Sequence, residues 1–356
     1  HSQIMTAIKD KVISFLIKEV SAAPLAVYRI CFGALMVFST IRFLFNGWVQ
    51  TQYIEPSFHF SYYGFEWLPY PNEFGIWLLF ILVLLSSLLI MLGLFYRTAT
   101  IIFFFSFTYI ELLDKTYYLN HYYFVSLIGF LLIFINAHKY YSLDVKFGFT
   151  QASNKCQQWE ISILQFQIAV VYIFAGIAKI HADWLIQAQP LKYWLHTANH
   201  WGFAGDLLKQ DWVAILFSWF GCIYDLTIVF FLLWKPSRKI AYFFVFSFHL
   251  LTWLLFPIGV FPWVMIAGTL IFFSTEFHEK LLSFLPKINT SYQQKSTKTV
   301  KLKVLVLIPF ILFQLIFPLR SMAYDGNVFW TESGYRFSWR VMLMEKTGEA
   351  IFYVKD

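Results

Sequence analysis

Charge is what this chain lacks. Only 13% of its 356 residues are Asp, Glu, Lys or Arg, against about 25% in a typical soluble domain. So few charges cannot solvate the surface of a soluble protein of this length, which excludes that class. Cysteine is scarce as well. Cys31, Cys156 and Cys222 show neither paired nor metal-type spacing, so a disulfide scaffold and a zinc module are excluded. Cys31 and Cys222 fall inside apolar runs and read as small apolar fillers. Phosphate-cradling glycine loops, nucleophile elbows and dinucleotide fingerprints are missing, and nothing points to a nucleic-acid partner. His196 and His200 stand four apart, but no third ligand is near, so no metal is expected. No segment has the build of a cleavable signal peptide.

Apolar residues fill the space that charge leaves. The chain is 59% hydrophobic and 22% aromatic, with a mean hydropathy of +0.61. These values predict an all-α polytopic membrane protein. Hydropathy suggests nine spans: Pro24–Phe45, Phe74–Phe95, Thr98–Leu113, Tyr122–Ala137, Trp159–Ile180, Trp212–Trp234, Ile240–Phe256, Pro262–Phe273 and Val304–Leu319. The third, fourth and eighth are short. The net charge of +7 falls mostly on one side, which suggests contact with anionic lipid.

Alternate loops are basic. Lys9, Lys11 and Lys18 precede the first span; Lys139, Lys146 and Lys155, then Lys235, Arg238 and Lys239, then the lysines from Lys280 to Lys303 follow on the same side. That alternation places the N-terminus in the cytoplasm and the C-terminus outside. The segment Lys9–Glu19 is amphipathic and is expected on the inner surface. Outside, Asn46–Asn72 is too aromatic for a solvated loop and is expected to fold onto the bundle as a lid. Leu185–Asp211 looks similar. Phe337–Glu345 and Ala350–Val354, around Lys346-Thr347-Gly348-Glu349, read as a β-hairpin that must dock on something to be stable. The expected division is a transmembrane domain over residues 1–319 and an external C-terminal β segment over residues 320–356.

Lys179 is the most informative residue. It lies near the outer end of an apolar run, where an intramembrane ammonium costs about 2.5–3.5 kcal/mol and is functional by default. Gln165, Ala169, Tyr172, Gly176, Lys179 and Asp183 follow helical spacing and form a small, polar face. A lysine snorkelling to the interface needs no such stripe; one facing a cavity between helices does. The bland alternative is a structural Lys179–Asp183 pair. Gly176 leaves room for a flat ring, and Tyr172 is placed to stack on it or bond to it.

Other polar residues in the runs need partners. Asp225, deep in the sixth span, calls for a cation, with Lys179, an arginine or His249 as candidates. His249 reads more readily as a hydrogen-bonded core histidine than as a catalyst. Arg29 and Arg42 suit structural roles. Asp114, Asn120 and His121 cluster between the third and fourth spans; Asp114 and Asn120 read as helix caps, a role that does not account for His121.

These residues resemble the vitamin K-dependent γ-glutamyl carboxylase family and its bacterial relatives, the horizontally transferred transmembrane (HTTM) domain proteins. The shared pattern covers Leu25 to Val341. It includes Tyr28-Arg29-Ile30, Tyr53-Ile54-Glu55-Pro56, Leu113-Asp114-Lys115-Thr116 with Asn120-His121, Ala137 to Asp144, Tyr172 to Trp184, Phe248-His249, and Gly334-Tyr335-Arg336-Phe337-Ser338-Trp339. The resemblance implies a membrane enzyme that epoxidises vitamin K hydroquinone, or menaquinol, with O₂. In that family the alkoxide so formed removes a γ-proton from a peptide glutamate and CO₂ adds. The family's active-site lysine matches Lys179, and its histidine and preceding asparagine match His121 and Asn120. The sites implied are Lys179 and His121 for catalysis, Asn120, Tyr172 and Gly176 for cofactor binding, and Asp114, Asp183, Asp225 and His249 in support. The departures are Ala178 where the family has a second lysine, His181 where it has an aspartate, and Met344 and Lys346 where it has a histidine and an arginine. The large external domain that binds a substrate propeptide is expected to be absent.

Three functions are compatible with this pattern. The first is a naphthoquinol-oxidising enzyme in a bacterial inner membrane, with its site toward the outer face, with or without carboxylation of a glutamate-containing peptide or protein. The second is a related enzyme acting on a lipid or small peptide. The third is a non-catalytic quinone- or lipid-binding protein, or a membrane partner in peptide export or immunity.

Overall fold

The computed structural model describes residues 2–196, 203–256, 258–286, 300–341 and 351–352. The architecture is a helical bundle. An N-terminal helix, α1 (Ser2–Ile17), precedes α2 (Ala23–Phe45), α3 (Glu73–Leu92), α4 (Tyr96–Leu113), α5 (Asn120–Phe134), α6 (Gln158–Ile177), α7 (Asp211–Leu233) and α8 (Arg238–Leu255). Then come α9 (Phe261–Gly268), continued by a 3-10 turn over Thr269–Phe272, α10 (Thr275–Leu282) and α11 (Val300–Ile316). The described residues contain one small sheet. Strand β1 (Glu19–Ser21) pairs antiparallel with β2 (Lys155–Gln157), with Val20 opposite Cys156.

Six helical segments are long and apolar enough to cross a membrane: Ala23–Phe45, Glu73–Leu92, Gln158–Ile177, Asp211–Leu233, Arg238–Leu255 and Val306–Ala323. An α-helix suits that solvent because its backbone groups bond within the segment. Their outward faces are apolar. Leu78, Ile81, Leu85 and Leu88 of α3 recur at helical spacing and are all exposed, a stripe that faces lipid rather than water. Each of the nine expected segments is helical, but three fall short of that standard. Helix α5 has 15 residues, about 22 Å against a hydrocarbon core of about 30 Å. Helix α9 has only 8. In α4, Arg97, Thr98, Thr100 and Glu111 dilute the apolar run.

The corner between α3 and α4 shows what the polar residues do. Gly93 ends α3 in the left-handed conformation (φ 65°), which only glycine adopts freely. The wholly buried Arg29 reaches this end from α2. Its guanidinium donates to Ile90 O and Met91 O at 3.1 Å and to Tyr141 O at 2.5 Å. Asp144 closes the other side, accepting from Phe95 N at 2.7 Å and Tyr96 N at 3.1 Å at the start of α4. Arg29 is therefore a structural cation that satisfies a helix end. Arg42 lies over the Trp48 ring at 4.8 Å.

The segment after α2 folds down as expected. Tyr53 is buried and packs edge-on against Phe80. Tyr70 OH donates to Tyr53 O at 2.7 Å, and Lys115 N to Phe60 O at 2.9 Å. Between α6 and α7, Trp184, Ala188, Leu191, Leu195 and Leu208 build a second small core with Val213 and Ala214 of α7.

The expected β-hairpin tail is corrected where the structure describes it. After α11 the chain forms a 3-10 helix (Phe317–Ala323), one helical turn (Val328–Thr331) and successive turns up to Val341. Phe337 and Trp339 take positive φ of 61° and 60°, which no regular strand permits. Side chains close the turns locally: Ser338 Oγ donates to Gly334 O at 2.5 Å, and Tyr335 OH donates to Val341 O. Most of the remaining hairpin, including Met344 and Lys346, lies outside the described residues.

Candidate active site

Helix α6 stops at Ile177, three residues before its apolar run does. Lys179 N bonds back to Gly176 O at 3.0 Å, and His181 opens a new one-turn helix over Ala182–Leu185. Lys179 thus occupies a turn rather than a helix. Its Nζ meets Asp225 Oδ2 of α7 at 2.5 Å, donates to Ala175 O at 3.2 Å, and lies 5.4 Å from the centre of the Trp184 ring. Both partners are buried, with side chains 9% and 7% exposed. At that burial each charge depends on the other, because removing one partner would leave the other buried and uncompensated.

The helix break also explains Asp183. The alternative Lys179–Asp183 pair needed an unbroken helix to put residues four apart on one face. With α6 ended, Asp183 is exposed in the first turn of the next element. Asp225 takes its place as the counter-ion, one of the pairings the sequence allowed.

Gly176 makes this pairing reachable. A Cβ there would lie 2.7 Å from Leu226 Cγ and 3.0 Å from Leu226 N. The room expected beside it for a flat ring is held by α7, so this glycine serves close helix approach. Ser218, Cys222 and Asp225 of α7 are spaced four and three apart and face the same way. Cys222 Sγ lies 3.7 Å from Gly176 O, Trp184 Nε1 donates to Ser218 O at 3.0 Å, and Ser218 Oγ donates to Trp184 O.

Two turns back along α6, Tyr172 OH lies 2.8 Å from His249 Nε2 of α8. Tyr224 OH donates to Tyr172 OH at 3.5 Å, and its ring stacks on Phe248 at 4.2 Å. His249 Nδ1 is buried and has no hydrogen-bond partner among the described residues. An orphaned buried nitrogen is costly, and a ligand oxygen is the kind of group that would satisfy it. The Phe261 ring stands beside His249 at 5.6 Å and beside His121 at 5.9 Å. His121, itself buried, therefore connects to Tyr172 through Phe261 and His249. Among the described residues no hydrogen bond joins Lys179 to Asn120 or His121.

Asn120 turns the other way. Its Oδ1 accepts from Tyr118 OH at 3.0 Å and its Nδ2 donates to Arg340 O at 2.5 Å. The cap position of α5 belongs to Leu119, whose side chain makes no cap bond. Asp114 does cap, accepting from Thr116 N at 2.9 Å, and it also meets His59 Nδ1 of the folded-down segment at 3.2 Å. Arg340 lies over the Phe329 ring at 5.6 Å, and Phe329 packs against His181 at 4.7 Å. The tail thus spans from the start of α5 to the turn bearing Lys179. Burial holds the His181 imidazole below the usual histidine range, Asp183 opposing and Arg340 adding to the effect. A neutral ring suits its role, since Nδ1 accepts from Trp184 N at 3.4 Å. His196 bonds to Lys192 O at 2.5 Å; His200 lies outside the described residues. Sequence reasoning missed the part that Tyr224, Phe261 and Arg340 play here. The first two look like ordinary apolar positions, and the third acts through its backbone oxygen as well as its guanidinium over Phe329.

The architecture can be set beside known proteins. No solved structure matches the chain. The lumenal domain of vitamin K-dependent gamma-carboxylase matches residues 299–356, a stretch that takes in the whole tail. The HTTM domain matches residues 17–277, which takes in every residue of the site except those contributed by the tail. On that match, the chain belongs to the HTTM domain family, and the stretch after it is similar to the carboxylase's lumenal domain.

Proposed function

We propose that this protein is a membrane enzyme that oxidises a naphthoquinol of the vitamin K or menaquinol type with O₂. The overall conversion is quinol plus O₂ to quinone epoxide plus water. The observation that carries this reading is the buried Lys179–Asp225 pair beside the Tyr172–His249 pair, in a chain whose two parts both match carboxylase-related domains. The ring would lie against Phe261, with one oxygen taken by His249 Nδ1 or His121. The Lys179–Asp225 pair would accept the hydroxyl proton. Burial in an apolar setting favours the state with less separated charge, so the pair is suited to passing a proton.

Carboxylation of a glutamate-containing peptide with CO₂ belongs to the same proposal, with the tail as the face that meets the peptide. The nine-span arrangement, with the N-terminus in the cytoplasm and the site toward the outer face, rests on the alternation of basic loops. The test is product analysis of purified protein given vitamin K hydroquinone and O₂, with and without a glutamyl peptide and labelled CO₂. Epoxide formation by the wild type, and none by Lys179→Arg, is expected, because guanidinium keeps its proton at neutral pH. A wild type that forms no epoxide from any naphthoquinol overturns the enzyme reading. One observation favours the third reading, a quinone-binding protein without catalysis: Lys179 is already engaged with Asp225 at 2.5 Å. Quinol binding without turnover is its signature.

A further inference from the structure

The segment between α2 and α3 is covered by the bundle on one side only. On the covered side, Tyr62 is buried beside the Phe337 ring at 5.6 Å, and His59 stacks on Tyr70 at 3.8 Å while meeting Asp114. On the other side Phe58, Phe60, Tyr63, Phe65 and Trp67 are exposed, Tyr63 by 98% and Trp67 by 73%. Five large rings exposed within ten residues form a patch, unlike the single apolar residues scattered over a water-facing surface. The rings are held in place. Phe58 and Phe60 meet edge to face at 5.0 Å, and Phe65 stacks beside Trp67 at 6.3 Å. Polar groups among them are satisfied within the segment. Trp67 Nε1 donates to Gly64 O at 3.0 Å, and Gly64 N donates to Glu66 Oε1 at 3.1 Å. Phe65 N donates to Tyr62 O and Leu68 N to Phe65 O, both at 3.0 Å. This aromatic knob therefore asks little hydrogen bonding of whatever surrounds it, which suits an apolar medium.

Its level along the bundle says what that medium is. Tyr109 OH of α4 donates to Pro69 O at 2.6 Å, and Tyr109 lies one turn, or about 6 Å, before α4 ends at Leu113. Helical side chains lean toward the N-terminal end, which in α4 is the end farther from this segment. Pro69 therefore lies inside the last turn of α4, and Trp67 is two residues from it. At the same end Phe45 closes α2 and Phe74 opens α3, both exposed. Phe74 also heads the exposed stripe of Leu78, Ile81, Leu85 and Leu88, at unbroken helical spacing. The rings thus lie at the level where the lipid-facing surface begins. We propose that the knob inserts into the interfacial zone of the lipid leaflet at that end of the bundle, an inference independent of the naphthoquinol reading. Tryptophan and tyrosine favour headgroup depth. Residues 56–72 contain no lysine or arginine and one carboxylate, Glu66, so insertion is driven by the rings and needs no anionic lipid. A water-soluble partner would have to reach rings that sit level with a turn of a helix inside the bundle.

The test uses the full chain without its native cysteines, spin-labelled at Tyr63→Cys and reconstituted in phosphatidylcholine vesicles. Power-saturation EPR compares collisions with O₂, which concentrates in the bilayer, and with a water-soluble nickel chelate. Labels at Leu85→Cys, on the exposed stripe of α3, and at Asp325→Cys, on an exposed bend of the tail, set the bilayer and water references. The Tyr63→Cys label is expected to show the O₂ excess of a membrane site, and to keep it when anionic lipid is mixed in. Adding Phe58→Asp and Phe65→Asp is expected to move the label to the Asp325→Cys value, showing that the rings and not the label drive insertion. A Tyr63→Cys label at the Asp325→Cys value without those aspartates overturns the proposal. Shielding from both reagents together with dipolar broadening overturns it in favour of contact with a second copy. Insertion that appears only with anionic lipid, or that survives both aspartates, overturns it as well.

Discussion

Removing one member of the Lys179–Asp225 pair should be far worse than removing both. The two groups meet at 2.5 Å and are almost fully buried, and breaking such a pair costs about 3–5 kcal/mol because one uncompensated charge remains. A stranded charge can escape by changing its protonation, which sets a ceiling. At pH 7, charging an ordinary carboxyl group's proton uptake at 1.36 kcal/mol per pH unit above 3.9 gives about 4 kcal/mol. The same arithmetic for losing a lysine proton below 10.4 gives about 5 kcal/mol. Lys179→Met and Asp225→Leu should therefore each destabilise by close to 4 kcal/mol. The double variant, which strands no charge, should be more stable than either single variant. The signs with pH differ. The Lys179→Met penalty should shrink by about 1.4 kcal/mol per unit as pH falls from 7 to 5, because Asp225 then takes its proton more cheaply; the Asp225→Leu penalty should grow. Unfolding followed by tryptophan fluorescence in micelles at three pH values measures all of this. A double variant less stable than either single variant refutes the reasoning, as do penalties that do not move with pH. The double variant should also form no epoxide despite being folded, which separates chemistry from stability.

Gly176→Ala puts a Cβ 2.7–3.0 Å from Leu226 and should destabilise by about 1–3 kcal/mol; Leu226→Ala should restore part of that, measured by the same unfolding assay. Tyr172→Phe strips His249 Nε2 of its partner at 2.8 Å and should cost about 1–3 kcal/mol, with quinol turnover reduced more than the stability change explains. Asn120→Ala removes the bond to Arg340 O and should speed limited proteolysis within residues 320–341 while leaving the bundle uncut; unchanged cleavage would mean the tail is held elsewhere. On a background without native cysteines, Thr51→Cys should react with an impermeant maleimide from outside intact cells and Lys235→Cys should not, the opposite result reversing the topology.

How far the sequence could be read depended on the range of each interaction. The helices were legible because apolar periodicity is local, and α2, α3, α6, α7 and α8 lie close to the runs that predicted them. Their ends were less so. The apolar run through Ile180 hides the stop of α6 at Ile177, and that stop leaves Asp183 exposed rather than paired with Lys179. Phe337-Ser338-Trp339-Arg340-Val341 alternates like a strand, yet two left-handed residues fold it into turns. Nothing in the alternation signals this, because Phe337 and Trp339 are held by Tyr118 and Tyr123, more than two hundred residues away.

The site was legible in the same graded way. A buried cation and a buried carboxylate each announce that a partner exists, so Lys179 and Asp225 could both be singled out from sequence, and their pairing needed only the fold to choose among candidates. Gly176 was visible as well, but its purpose was not, since an absent side chain does not say whether a ligand or a neighbouring helix fills the space. Asn120 shows the limit most clearly. Family resemblance placed it with His121, yet in the structure the two point to different things, one to the tail and one to Phe261. Because Arg340 takes the Asn120 amide while Phe329 covers His181, the tail touches both chain regions that bear the expected site residues. Any motion of that segment must therefore act on Asn120 and on the Lys179 turn together. On the proposed function, a peptide held by the tail would therefore reach both Asn120 and the Lys179 turn through direct contacts.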